Sequence, residues 1–178
     1  ALQRRGSQVI GLDLRKRNCR ITRLRGKRYG LETPVVRGRA EALPIKTESI
    51  DVVICRDVLE HADRPEEVLD EIWRVLRRGG ACFLTVINRY CWVDPHYHLA
   101  GLSFMPHALS ERYIRWRGRA KESQQDRQTL SDMHYYSYGE FHAVAARKGF
   151  TVADLQWMQL RRYRKHGVAN AARWLSLI

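Results

Sequence analysis

The chain has 178 residues, 44% of them hydrophobic and 29% charged, enough for one globular core and unlike a disordered polymer. No apolar run approaches the ~18–20 residues that a membrane-spanning helix needs. Against 19 acidic residues stand 32 basic ones, a net charge of +13; 6 are Lys and 26 Arg, a bias that an Arg-rich genomic composition explains as well as a selected anion-binding face. No DNA- or RNA-binding module accompanies the charge, so nucleic acid is not the expected partner. Cys19, Cys55, Cys82 and Cys91 are scattered, and Cys55 and Cys82 lie in apolar runs where a thiol acts as a small hydrophobe. A reduced, cytoplasmic setting is the expectation.

In chain order, Ala1 to Gly6 reads as the last turn of a helix with its glycine stop, and Gln8 to Leu12 as a short buried strand closed by Asp13. Arg15 to Tyr29 is a basic helix ended by Gly30. Pro34 to Arg37 and the β-branched run Ile50 to Cys55 read as strands, the second central and buried. The helix after His61 has Asp63 as expected cap, Pro65 in its first turn, and Glu66 and Glu67 against the dipole, with Gly79 as stop. Its stripe is Val68, Leu69, Ile72, Val75 and Leu76. Ala81 to Ile87 is another strand. Strand, helix and strand repeating without hairpin signals predict an α/β doubly wound, mostly parallel sheet. Residues 88–137 interrupt that rhythm with an aromatic-rich insert, in which Leu109 to Trp116 predicts a helix and Lys121 to Thr129 a polar connector. A capping box of Ser137 and Glu140 starts a further helix, ended by Gly149. Phe150 to Trp157 then reads as a strand and Val168 onward as a helix.

Four ordered blocks, with Val9-Ile10-Gly11-Leu12-Asp13 upstream of them, carry a family resemblance: Gly38 to Pro44, Ser49 to Cys55, Asp57-Val58-Leu59-Glu60-His61, and Arg74 to Gly80. At these spacings the chain resembles a class I S-adenosylmethionine-dependent methyltransferase, type 11-like, over roughly residues 8–87. The resemblance implies a Rossmann-like fold, S-adenosylmethionine as cofactor, and a first strand with a glycine-rich loop ahead of Val9. No Gly-x-Gly occurs in the chain, which therefore reads as the interior of a longer protein. Residues 1–178 are expected to form a single partial domain, incomplete at the N-terminus and at the C-terminus, with 88–137 a substrate lid.

Ligands of open α/β sheets sit beyond the carboxyl ends of the strands. A carboxylate there satisfies ribose hydroxyls, so Asp13, followed by Leu14, is the first expected cofactor contact; the alternative is a simple helix cap. The resemblance implies a second zone at Arg39, Ala40 and Glu41. Arg39 stands where the family has an acid facing the adenine amino group, and a guanidinium cannot accept from an amine. It either stacks on the adenine or is a solvated surface group. The resemblance also places Cys55, Arg56 and Asp57 near the methionine end.

His61 is the acid or base beside the expected methyl-transfer point, since a neutral imidazole takes a proton from a hydroxyl or amine; the alternative is a loop hydrogen bond. Asp94, His96 and His98 admit a metal reading, but no Cys-x-x-Cys or His-Glu-x-x-His frame supports it, and no metal is expected. The lid reading assigns Trp92, His96, His98, Arg112 and Trp116 to substrate binding, with Tyr97 and Phe104 as apolar walls; alternatively the aromatics fill the insert's own small core.

The expected function is methyl transfer from S-adenosylmethionine to a small-molecule or lipid-linked acceptor, at oxygen before nitrogen or carbon, with peripheral membrane contact compatible with the charge. The Asn/Asp-Pro-Pro-aromatic motif of base-amino methyltransferases is absent, with Cys55-Arg56-Asp57-Val58 in its place. The alternative is a degenerate, non-catalytic member of the fold whose basic face holds RNA or anionic lipid.

Overall fold

The computed structural model describes residues 2–119 and 129–155. Among them, β1 (Gly11–Asp13) leads into α1 (Lys16–Arg28), then β2 (Val35–Arg37) and β3 (Ile50–Cys55). After these come α2 (Pro65–Val75), β4 (Leu76–Leu84), α3 (His107–Trp116) and α4 (Tyr138–Arg147). β1 pairs in parallel with β2, Leu12 opposite Val36, and β3 pairs in parallel with β4, Val53 opposite Cys82. Among the described residues these are two separate two-stranded sheets rather than one. A cleft of 1790 Å³ lies against both, lined by Ile10, Leu12 and Leu14 from one pair and Ile50, Val52 and Ile54 from the other.

α2 forms where its pattern requires. Pro65 occupies the first turn, where its missing N–H costs no hydrogen bond, with Glu66 and Glu67 beside it. Val68, Leu69, Ile72 and Val75 are all at most 3% exposed, a gross apolar burial on the order of 10 kcal/mol. Val68, Leu69 and Ile72 pack with Cys55, Leu59, Leu76 and Val144, and with the Val53, Cys82 and Leu84 face of the β3–β4 pair. α4 closes the same core, and Lys148 Nζ reaches Asp70 Oδ1 on α2 at 2.6 Å. Gly149, at φ +90°, lies so close to the Trp73 ring that a Cβ would meet it at 2.9 Å; the ring also meets Phe150 edge-on at 4.9 Å. No helix among the described residues is long and apolar enough to cross a membrane.

Several expectations need correction. Asp63 is not the cap of α2: the N-cap is Arg64, without a side-chain cap bond, and the Asp63 carboxylate is drawn to Arg39 instead. Gly79 does not stop α2, which ends at Val75 with extended Leu76 beyond it. Its φ of +76° serves the irregular entry into β4, where pairing shifts between Ile50 and Val52. β3 is not buried on both faces, for Val52 and Ile54, with Phe83 opposite Ile54, stand about half exposed on the face turned away from α2. Residues 150–154 form no strand, having no neighbour among the described residues to complete their backbone pairing; Gln156 and Trp157 lie outside the described residues, as does the helix expected from Val168. So does the polar connector, apart from Thr129, which caps the turn at Leu130–Asp132.

Other expectations hold. Gly6, at φ +86°, closes a short 3-10 turn, and Ser137 with Glu140 makes the reciprocal capping box of α4. The insert builds its own small core from Tyr97, Leu99, Leu102, Ile114, Leu130 and Met133.

Candidate active site at the strand carboxyl ends

Parallel pairing sends the carboxyl ends of β1 and β2 one way, and within the second pair those of β3 and β4 one way, and the segments leaving β1, β2 and β3 line one cleft. Asp13 and Leu14 enter it from β1, Arg39 to Glu41 from β2, and Cys55, Asp57, Val58 and His61 from β3. Asp13 accepts the Arg15 backbone N–H at 2.7 Å and the Asn18 side-chain amide at 3.1 and 3.2 Å. A carboxylate has about four acceptor positions, so this local anchoring fixes its orientation and still leaves capacity for a ligand hydroxyl. Local capping and ligand binding are therefore compatible at this residue.

Arg39 is held by two carboxylates, Asp63 and Glu41. The pairing links the turn after β2 to the start of α2. Burial works against the charge on Glu41, but its own backbone N–H and the Arg39 guanidinium outweigh that and hold its carboxyl below the usual range. The Glu41 carboxylate also accepts the Asp63 N–H at 3.2 Å.

A second clamp holds the same turn and was missed by sequence reasoning. Arg74 donates to the Leu43 and Ile45 carbonyls, both at 2.9 Å, to Thr47 Oγ1, and bidentately to Glu71. Glu71 in turn accepts the Leu43 N–H at 2.6 Å. Glu71 and Arg74 at i,i+3 in α2, facing a polar turn, were the available signal.

Past β3, Asp57 adopts φ +53° and its N–H donates to Thr85 Oγ1 at 2.7 Å, tying the ends of β3 and β4 together. Arg56 points outward and is largely exposed. Burial pushes the Cys55 thiol up to about 12 and that of Cys82 to about 11, so both are inert hydrophobes at neutral pH.

His61 closes a short 3-10 turn, Leu59–His61. Its ring lies 5.1 Å from that of His96, centroid to centroid, and the buried Glu60 carboxylate is 4.0 Å from His61 Nε2. Asp94, His96 and His98 do not converge as a set. Asp94 is 1% exposed and accepts the His96 and Tyr97 N–H groups and the Tyr135 hydroxyl at 2.8–2.9 Å. Burial, then the Asp94 charge and hydrogen bond, hold the Tyr135 phenol far above its ordinary range.

Of the residues expected to bind substrate, His96 reaches the His61 side. His98 is exposed at φ +52°. Trp92 is 70% exposed and Trp116 76%, the latter with Arg117 over its ring, and Arg112 is exposed on α3. Tyr97 belongs to the insert's own core and forms no apolar wall, because Asp94 draws its N–H inward and Leu99 and Leu102 enclose its ring. Phe104 stays on the surface beside Tyr90 and Trp92.

Residues 1–84 match the family model described as a methyltransferase domain. The chain is 36% identical over 90 residues to a ubiquinone biosynthesis O-methyltransferase of Aeromonas salmonicida, a match covering 50% of this chain and 38% of that protein. A protein of the same description from Hahella chejuensis is 34% identical over 90 residues, again 50% of this chain and 38% of the relative. The chain thus spans well under half the length of the curated relatives it matches. Among solved structures, a SAM-dependent methyltransferase of Thermotoga maritima superposes with a TM-score of 0.55 at 22% identity, covering 81% of this chain and 55% of that one. The [4+2]-cyclase SpnF superposes with a TM-score of 0.56 at 17% identity, covering 83% and 44%, so the fold by itself does not specify the reaction. Residues 1–84 are thus similar to a methyltransferase domain, and the described residues share the Rossmann-like fold of S-adenosylmethionine-dependent methyltransferases.

Proposed function

We propose that the protein carrying this chain transfers a methyl group from S-adenosylmethionine to an oxygen of a small-molecule or lipid-linked acceptor. The observation that carries this reading is the convergence on one cleft of Asp13, Ala40 and Glu41, and Cys55, Asp57 and His61 from the ends of three strands, in a chain whose residues 1–84 match a methyltransferase domain. The relatives named as O-methyltransferases support oxygen as the accepting atom.

The donor set fits the adenosine half of the cofactor. Asp13 has acceptor capacity for ribose hydroxyls, and the Ala40 backbone with Glu41 offers groups for an adenine edge. Arg39 already serves Asp63 and Glu41, which fixes its guanidinium at the cleft wall, where a ring face can rest on it. Leu14, Cys55 and Asp57 continue the wall, while Arg56 between them points outward. When bound, S-adenosylmethionine supplies a methyl carbon already activated by its sulfonium. The chain's own work is to align the acceptor oxygen, exclude water and receive the acceptor's proton, for which His61 is placed at the cleft wall. The insert carries the acceptor side: His96 approaches His61, while Trp92, His98, Arg112 and Trp116 present apolar and cationic groups to an amphiphilic molecule.

Isothermal titration of S-adenosylmethionine into the full-length gene product tests this directly. Asp13→Ala should weaken binding by about 1–3 kcal/mol, the cost of leaving buried hydroxyls without a partner. Equal affinity in both proteins refutes the ribose assignment. The second reading, a non-catalytic binder, would be favoured by the lack of a glycine-rich loop in the full gene; it requires that the full-length protein bind no S-adenosylmethionine yet bind RNA or anionic vesicles.

A further inference from the structure

Three side chains that methyl transfer does not require as a group have been brought together by the fold. One candidate ligand atom each from Glu60, His61 and His96 lies within 4.8 Å of the other two. Glu60 and His61 come from the 3-10 turn after β3, and His96 from the insert 35 residues later, so no local sequence frame announces the trio. We propose that Glu60, His61 and His96 form a binding site for a divalent transition-metal ion of the zinc class, with its open coordination positions toward the cleft.

The chemistry of the donors selects the ion. Two imidazole nitrogens and one carboxylate oxygen suit zinc, cobalt, manganese or ferrous iron, whereas magnesium and calcium prefer all-oxygen shells. Three protein ligands with a remaining open position is the pattern of catalytic rather than structural zinc. His61 lines the cleft, so an exchangeable ligand has a route to that position.

The geometry is close to what binding needs. Ligands on one tetrahedral ion at ~2.0–2.1 Å sit about 3.4 Å apart, so separations within 4.8 Å have to contract by at most about 1.4 Å. The Glu60 Oε1 to His61 Nε2 separation of 4.0 Å is too long for a direct hydrogen bond and right for an ion between them after that contraction. The two rings are tilted by 57° and not stacked, which lets both aim nitrogens at a common point.

Each ligand stands on a fixed support. The Glu60 carbonyl accepts the His134 N–H at 3.0 Å, pinning the turn to the insert, and the Glu60 residue is 2% exposed. The His96 backbone N–H donates to buried Asp94, itself held by Tyr135 and Tyr97, which fixes the loop that carries the ring. An ion here takes the His61 lone pair, so His61 is then a ligand, and a coordinated oxygen replaces it as the proton-accepting group. That consequence rests on the methyl-transfer reading; binding of the ion does not.

The test reads binding without donor or acceptor present. The full chain, stripped with EDTA, is titrated with Co²⁺ as a visible-absorption probe. A d–d band saturating at one ion per chain is expected, abolished by Zn²⁺ and untouched by excess Mg²⁺. Glu60→Gln, His61→Gln and His96→Gln should each weaken Co²⁺ binding by about tenfold or more, on the scale even outer-layer losses reach. The exposed His142→Gln should leave it unchanged. Thermal unfolding in EDTA confirms that each variant folds, and His96→Gln, at a half-buried loop position, keeps the test alive if Glu60→Gln does not. No d–d band in the parent chain overturns the proposal. So does a thiolate charge-transfer band, or a loss with His98→Gln as large as with His96→Gln.

Discussion

Removing the Arg74 side chain should cost the fold more than removing any other surface-reaching arginine among the described residues, because its five hydrogen bonds hold the turn that lines the cleft. Arg74→Ala strips the Leu43 and Ile45 carbonyls of their donors and leaves the Glu71 carboxylate facing only the Leu43 N–H. A partly buried carbonyl left without a donor costs about 1–3 kcal/mol, and the charged pair adds a similar amount. The Arg74 side chain is 33% exposed, so water and screening recover part of this. A net loss of about 2–4 kcal/mol is expected in urea unfolding at pH 7. Arg74→Lys should rescue little, since an ammonium cannot span two carbonyls and a carboxylate at once. The pH dependence has a definite sign. The Arg74 hydrogen bond outweighs burial, which pushes the other way, and holds the Glu71 carboxyl below its ordinary value. The stabilisation is therefore present above about pH 4.3 and lost as pH falls through the lower, folded-state value. The gap between parent and Arg74→Ala should narrow at pH 3. A variant within about 0.5 kcal/mol of the parent at pH 7, on the scale of an exposed pair, would mean that the clamp is solvated decoration, and a gap that widens in acid would refute the assigned sign.

Gly149→Ala should destabilise by about 1–3 kcal/mol in the same assay, through left-handed strain and a Cβ 2.9 Å from the Trp73 ring. Gly139→Ala, in the first turn of α4 with open space around it, should be neutral or stabilising by up to about 1 kcal/mol; equal losses at both sites would contradict the packing described. Native alkylation at pH 8 followed by peptide mass mapping should leave Cys55 and Cys82 unmodified until urea is added, given thiols raised to about 12 and about 11; prompt native labelling would show that the core opens on that timescale. Ser137→Ala, which removes an N-cap whose oxygen accepts the Glu140 N–H, should cost about 1 kcal/mol and spread no further than α4 in hydrogen exchange.

Periodicity and end signals sufficed wherever an element's residues answer to their near neighbours. The α2 stripe, the Ser137 capping box, the glycine at position 6 and the β-branched run of β3 all follow from short-range chemistry, and each appears where its residues put it. Asp13 and the Cys55-to-His61 segment were legible as cleft residues for a related reason: a parallel strand's carboxyl end faces the ligand side whatever its neighbours are. Decisions between distant groups were not legible. Asp63 is a sound cap by local chemistry, yet Arg39, 24 residues away, competes successfully for its carboxylate. Arg74 stood in the sequence only as the first residue of a family block, and its partners follow from the turn at Leu43 folding over it. The pairing of His96 with His61 and Glu60, in place of Asp94 and His98, depends on Asp94 being consumed by Tyr135 across 41 residues. Local propensity is set by sterics and hydrogen bonds within a turn or a strand. The partners of a charged or imidazole side chain are chosen by whatever the tertiary fold brings within a few ångströms, and only the assembled structure holds that information.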